Sequence, residues 1–139
     1  MLTSRVIPVL LIDDGDLYKT INFCNPKYVG DPLNTVRILN EKEVDELMFL
    51  DIAATMEKRE PDYGYIKEIA SQAFMPLAYG GGIKRVKEIE KLFKCGIEKV
   101  VINSACSEDF SLISEAQSIS GSQSIIVSID AKRSLFRKP

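Results

Sequence analysis

Polar residues able to do chemistry gather at five points of the chain, each directly after an apolar run: Asp13-Asp14-Gly15, Asp51, Gly80-Gly81-Gly82, Asn103-Ser104 and Asp130. Carboxylates can carry protons, and glycine-rich turns present backbone N–H groups without side-chain obstruction. The segment "LAYGGGIKRVKEIEKL", residues 77–92, places the glycine triplet where an apolar run ends and a helix-periodic run begins. A glycine turn feeding a helix N-terminus is suited to an anion, and phosphate is the natural guest. The same triplet also suits a tight strand-to-helix turn with no ligand at all. Asn103-Ser104, at the end of the next apolar run, adds side-chain donors and favours the phosphate reading.

Composition narrows the chemistry. The chain has 139 residues and no histidine, so acid–base work falls to carboxylates, lysine or tyrosine. Cys24, Cys95 and Cys106 follow no metal-ligand spacing and read as reduced thiols; no metal and no cofactor is expected. A hydrophobic content of 45% and a net charge of −2 describe one globular domain with no electrostatic reason to bind nucleic acid. The N-terminal stretch has no cleavage-like site and no segment approaches the roughly 18 apolar residues of a membrane span, so a cytoplasmic protein is expected.

The elements that must position these residues alternate in type. Val6–Ile12, Glu46–Ile52, Met75–Tyr79, Lys99–Asn103 and Ser124–Ile129 are short and almost continuously apolar, as strands covered on both faces are. Residues Pro32–Glu43, Asp62–Ala73, Val86–Cys95 and Ser111–Ile119 carry apolar residues at helical spacing. Asp31-Pro32 opens the first helix as a cap followed by proline at N1, and Cys95-Gly96 closes the third. Pro8 and Pro76 fall within strand runs, where a missing ladder donor argues for different boundaries. Strand alternating with helix predicts a parallel α/β sheet in a single domain over residues 1–139, with no internal boundary. Every polar group named above then lies at a strand C-terminus, where ligands bind in parallel α/β folds. Four βα units plus a fifth strand fit an open doubly wound sheet, or half of a (β/α)8 barrel.

Several stretches decide for the barrel by resemblance. "FMPLAYGGGIKRVKEIEKLFKCGIEKVVINSA", "ELMFLDIAATMEKRE", "GDP" at residues 30–32 and "GSQSIIVSIDAKR" resemble the cyclase subunit of imidazole glycerol phosphate synthase (HisF), along essentially the whole chain. The resemblance implies a TIM-barrel fold, of which this chain is similar to the N-terminal half plus the fifth strand. It implies a glutaminase (HisH-like) partner at the N-terminal barrel face and ammonia passing through the barrel. It also implies a bisphosphorylated ribulosyl formimino carboxamide nucleotide at the C-terminal face, converted to imidazole glycerol phosphate and AICAR. A half-barrel would need a second half or self-association to cover its open edges and inner face.

Position by position, Gly82, Asn103 and Ser104 match residues that hold a substrate phosphate, with Gly80 and Gly81 in the same turn. Lys19 matches a lysine on the mobile loop after the first strand, and otherwise reads as a solvated lysine. Asp130 matches one of two catalytic aspartates. Arg5, Glu46 and Lys99 match charged residues ringing the ammonia entrance; a ring of stabilising salt bridges is the competing reading. Asp51 is a candidate substrate contact or a hydrogen-bonding residue of the rim. Ala78 gives the channel wall a small apolar residue. Tyr63 and Tyr65 read as cover for the second helix.

One position departs from the family. Its "LDVKDG" has a catalytic aspartate where "LLIDDG" here has Leu11, and leucine cannot transfer a proton. Asp13 shares that face by the period of two, but lies about 6.5 Å further along an extended strand. It replaces the lost acid only if the strand end bends. Three readings follow: the histidine-pathway cyclase; a paralogous subunit that delivers ammonia for amidine formation on a surface-polysaccharide or flagellar sugar; and a non-catalytic half-barrel scaffold.

Overall fold

A computed structural model describes residues 4–22, 24–105 and 110–130; Cys106 lies outside them. The parallel strands are β1 (Val9–Asp13), β4 (Leu47–Asp51), β5 (Leu77–Gly80), β6 (Lys99–Ile102) and β7 (Ile125–Val127). The helices between them are α1 (Pro32–Glu41), α2 (Tyr63–Gln72), α3 (Val86–Lys94) and α4 (Ser111–Ser120). The expected half-barrel pattern of four βα units and a fifth strand is present, with boundaries displaced by at most three residues.

Two strands were not expected. β2 (Asp16–Ile21) and β3 (Cys24–Gly30) form an antiparallel hairpin that extends the sheet to the order β3-β2-β1-β4-β5-β6-β7. Its cause lies in Asp14-Gly15. Both adopt positive φ, 46° and 82°, and connect Asp13 to its ladder partner Asp16, the geometry of a two-residue hairpin turn. The run read as a polar strand end is therefore first a turn signal. Tyr65 anchors it: its hydroxyl, from α2, donates to the Gly15 carbonyl at 2.8 Å. Burial, followed by the nearby Asp31 and Asp16 charges, pushes that hydroxyl up to about 12 and keeps it a donor. Lys19 correspondingly belongs to a strand rather than a loop. The β1 edge, expected to be open, is paired along Leu11–Asp13, so the outer strands of the described sheet are β3 and β7.

The prolines fall just outside the strands. Pro8 and Pro76 precede β1 and β5, and their carbonyls still accept from Met48 and Leu47 at 3.0 Å, so each contributes to the ladder without the donor it lacks. The helices pack in sequence against one sheet face. Leu47, Phe49, Leu77, Tyr79, Val100 and Ile102 point into that layer and meet Val36, Ile66, Ile89 and Leu92, all buried. The intervening residues Met48, Leu50, Ala78, Gly80 and Val101 line the other face, so the continuous apolar strands do carry two kinds of position.

The helix ends match the sequence signals. Asp31 Oδ1 accepts from the Asn34 amide at 2.7 Å with Pro32 at N1, and Gly96 takes a φ of 101° after Cys95. Asp62 caps α2 in the same way, accepting from the Tyr65 amide. Replacing Asp31 by alanine leaves that amide without its partner. A loss of about 1 kcal/mol is expected in urea unfolding of Asp31→Ala with an unchanged m-value.

Candidate functional site

A cavity of about 490 Å³ opens at the C-terminal ends of the parallel strands. Asp51, Gly80, Gly81, Gly82, Asn103, Ser104 and Asp130 all line it, so seven of the sequence-derived candidates converge on one space. Asn103 follows β6 and Asp130 lies just beyond β7; the Asn103 amide donates to the Asp130 carboxylate at 3.0 Å. The backbone turns helical at Ser104, next to this pair.

Two candidates do not reach the cavity. Asp13 is held in the last rung of the β1–β2 ladder, and Leu11, two residues earlier, lines the wall in its place. Lys19 is exposed and pairs with Lys27 across the hairpin, while alternation along β2 brings Thr20 to the cavity.

Asp51 is engaged within the fold. Its carboxylate accepts both Nη atoms of Arg59, at 2.7 and 2.9 Å, and the amides of Ala53 and Ala54. Tyr79 adds a longer contact at 3.4 Å. The carboxylates of Asp51 first and Glu57 second hold the Arg59 guanidinium well above its ordinary range. Burial, reinforced by the Asp51 charge, pushes the Tyr79 hydroxyl far above its own. With these partners Asp51 fixes the loop after β4. Arg59 was not singled out in the sequence; its signal was an arginine eight residues after a strand-end aspartate.

The glycine triplet is explained largely by that loop. A Cβ on Gly81 would lie 2.4 Å from the Asp51 carbonyl oxygen, and one on Gly82 would lie 2.8 Å from the Arg59 carbonyl oxygen. A Cβ on Gly80 would strike Val101 and Leu50. The turn is therefore glycine for close backbone packing. The start of α3, by contrast, is closed. Glu88, buried at 2% exposure, accepts from the amides of Lys84 and Arg85 at 2.6 and 3.1 Å and pairs with the Arg85 guanidinium. The α3 dipole is answered by this carboxylate and is not free for an anion, contrary to the expectation from the glycine turn.

At the opposite ends of the strands, Arg5, Glu46 and Lys99 form one cluster. The buried Glu46 carboxylate takes Arg5 on one oxygen and the Lys99 ammonium, at 2.6 Å, on the other. Between the two ends the inner face is apolar. Leu11, Leu50, Gly80, Val101 and Ile126 stand in register, and the row one step below runs Val9, Met48 and Ala78 to Lys99 of the charged cluster.

Among the described residues no group of three or more His, Cys, Asp or Glu could hold a metal ion, and no helix is long and apolar enough to cross a membrane.

Comparison with known proteins gives the chain a family. The family model described as "Histidine biosynthesis protein" matches residues 5–138. Over 136 residues, 98% of this chain, it is 52% identical to a Pseudomonas aeruginosa protein provisionally named imidazole glycerol phosphate synthase subunit hisF2, of which 54% is covered. It has the same identity and coverage with a Vibrio vulnificus protein provisionally named hisF3, of which 52% is covered. It is 42% identical along its whole length to imidazole glycerol phosphate synthase subunit HisF of Methanococcus maripaludis, of which 51% is covered. The chain spans about half the length of the curated relatives it matches.

Two glycine substitutions test the packing account of the triplet. Gly15 has positive φ and nothing within 4 Å of a new Cβ, so Gly15→Ala should cost only backbone strain, about 1–2 kcal/mol. Gly81→Ala adds a collision with the Asp51 backbone and should exceed about 3 kcal/mol in the same urea titration. Equal costs would show that the triplet is not set by packing.

Proposed function

Because the chain belongs to the histidine biosynthesis protein family, we propose that it carries the ammonia entrance and one phosphate site of an imidazole glycerol phosphate synthase cyclase subunit. The observation that carries this reading is the sorting of the inner face along the strand direction. Charged Arg5, Glu46 and Lys99 come first, then the apolar row through Leu11 and Val101, then Gly82, Asn103, Ser104 and Asp130. A glutaminase (HisH-like) partner docks at the charged end. Uncharged ammonia crosses the apolar rows without the heavy desolvation cost an ion would meet. At the far end a bisphosphorylated ribulosyl formimino carboxamide nucleotide lies with one phosphate against Gly82, Asn103 and Ser104. Asp130, oriented by its hydrogen bond from Asn103, transfers protons as the imidazole ring closes to give imidazole glycerol phosphate and AICAR.

The surface beside the charged cluster supports a protein partner there. Val6 and Phe74 are exposed, Phe74 at 88%, and Phe74 borders a hollow with Asn40 and Asp45 on the same side of the sheet. An exposed aromatic beside a hollow is the kind of anchor that protein interfaces use.

A second reading is favoured by Leu11. The wall position that the cyclase resemblance assigns to an aspartate is leucine, and Asp13 does not line the cavity. In this reading the subunit delivers ammonia to another acceptor, an amidine-forming transfer onto a surface-polysaccharide or flagellar sugar. The two relatives at 52% identity bear the numbered names hisF2 and hisF3, whereas the relative at 42% bears the plain name HisF.

The two readings separate on one substitution, made in a protein of the relatives' full length that carries this segment and assayed with ammonium salt. One positioned proton donor contributes about 10²–10⁴-fold. Leu11→Asp should raise single-turnover cyclisation by a factor in that range, and Asp13→Asn should leave it unchanged. A crippled Asp13→Asn would make Asp13 the acid. The absence of turnover in every variant would retire the cyclase and leave the delivery subunit.

A further inference from the structure

The cavity poses a charge problem that the residues named so far do not solve. Of its two acidic lining residues, Asp51 is answered by Arg59, which leaves Asp130 without a cation among the described residues. A phosphate ester at neutral pH brings a further charge of about −1.5 to −2. Of the basic residues near by, Arg59 is committed to Asp51 and Glu57, Lys19 points away on β2, and Lys99 is tied to Glu46 at the other end of the strands. The helix dipole of α3 is answered by Glu88.

Among the described residues, the single cationic side chain lining the cavity is Lys84. It follows Gly82 by two residues, is exposed, and makes no side-chain hydrogen bond or ion pair within the described residues. Its backbone amide is already given to Glu88 at 2.6 Å, so the donor it can offer a ligand is its ammonium. Glu88 thereby does two things at once: it removes the α3 amides from the site and fixes the backbone from which Lys84 projects.

We propose that Lys84 is a substrate-binding residue that supplies the positive charge for a phosphate monoester held against Gly82, Asn103 and Ser104. This rests on the phosphate reading above and adds to it the group that makes the site selective for a dianion. A flexible ammonium can follow a phosphate oxygen without needing the planar fork that arginine requires. The backbone amides of the turn and the Asn103 side chain then give direction, and Lys84 gives charge.

The test is isothermal titration of inorganic phosphate into the folded chain, with wild type, Lys84→Gln and Lys84→Arg compared at low and moderate salt. Because the side chain is exposed and has no partner among the described residues, thermal unfolding without ligand should be the same for all three. Loss of one charge-assisted hydrogen bond should weaken phosphate binding about tenfold or more in Lys84→Gln, with a shallower salt dependence, and Lys84→Arg should recover most of it. Wild-type binding that Lys84→Gln leaves untouched overturns the assignment of Lys84 while sparing the phosphate site. A folded wild type that does not bind phosphate at all overturns the phosphate reading, and the role of Lys84 falls with it.

Discussion

The buried carboxylate of Asp51 is the interaction on which the site depends. It closes β4, captures the Arg59 guanidinium with two hydrogen bonds and gathers the Ala53 and Ala54 amides, which wraps the following loop back onto the strand end. Two carbonyls of that assembly, of Asp51 and Arg59, form the surface on which Gly81 and Gly82 lie. The turn after β5 is thus shaped by the loop after β4. A carboxylate so nearly removed from water is tolerable because every lone pair has a partner, and removing one partner leaves a buried acceptor unsatisfied. The wall of the cavity inherits its shape from this one anchor.

Local rules made much of this fold readable. The Asp31 cap, the Gly96 stop and the spacing of Ile89 and Leu92 depend on neighbours within a few residues, and each is found where the sequence places it. The hairpin was hidden for the opposite reason. β3 is exposed at almost every position, so it shows no alternation, and Asp14-Gly15 resembled a polar strand end as much as a turn. Where one residue type serves both chemistry and backbone geometry, sequence alone does not say which use prevails. The strands begin one residue after Pro8 and Pro76 because a proline has no amide to give the ladder, although its carbonyl still accepts from the neighbouring strand.

The candidate site was readable as a gathering of strand ends, and less so in its division of labour. Asp51 carried the right position but an internal role, because its partner Arg59 lies beyond a turn whose path the sequence does not reveal. Glu88 stood in plain view at the third position of α3, where a glutamate commonly reaches back to the helix start. Only its burial shows that it closes that start to anions. Leu11 was read directly, since a change of residue type at a strand position needs no tertiary information.

The two outer strands of the sheet differ in kind. β3 contains Pro26, which has no amide hydrogen to offer, beside Lys27, and both are exposed. β7 is three residues long, carries neither device, and is followed by the exposed Ile129. A chain arriving at β3 would meet a gap in the donor row and a charge to bury, the features by which natural sheets discourage edge-to-edge stacking. Strand addition is therefore directional: the sheet is guarded on its antiparallel side and receptive on its parallel one. Of the two outer strands described, β7 is the one at which another strand would meet neither a missing donor nor a charge.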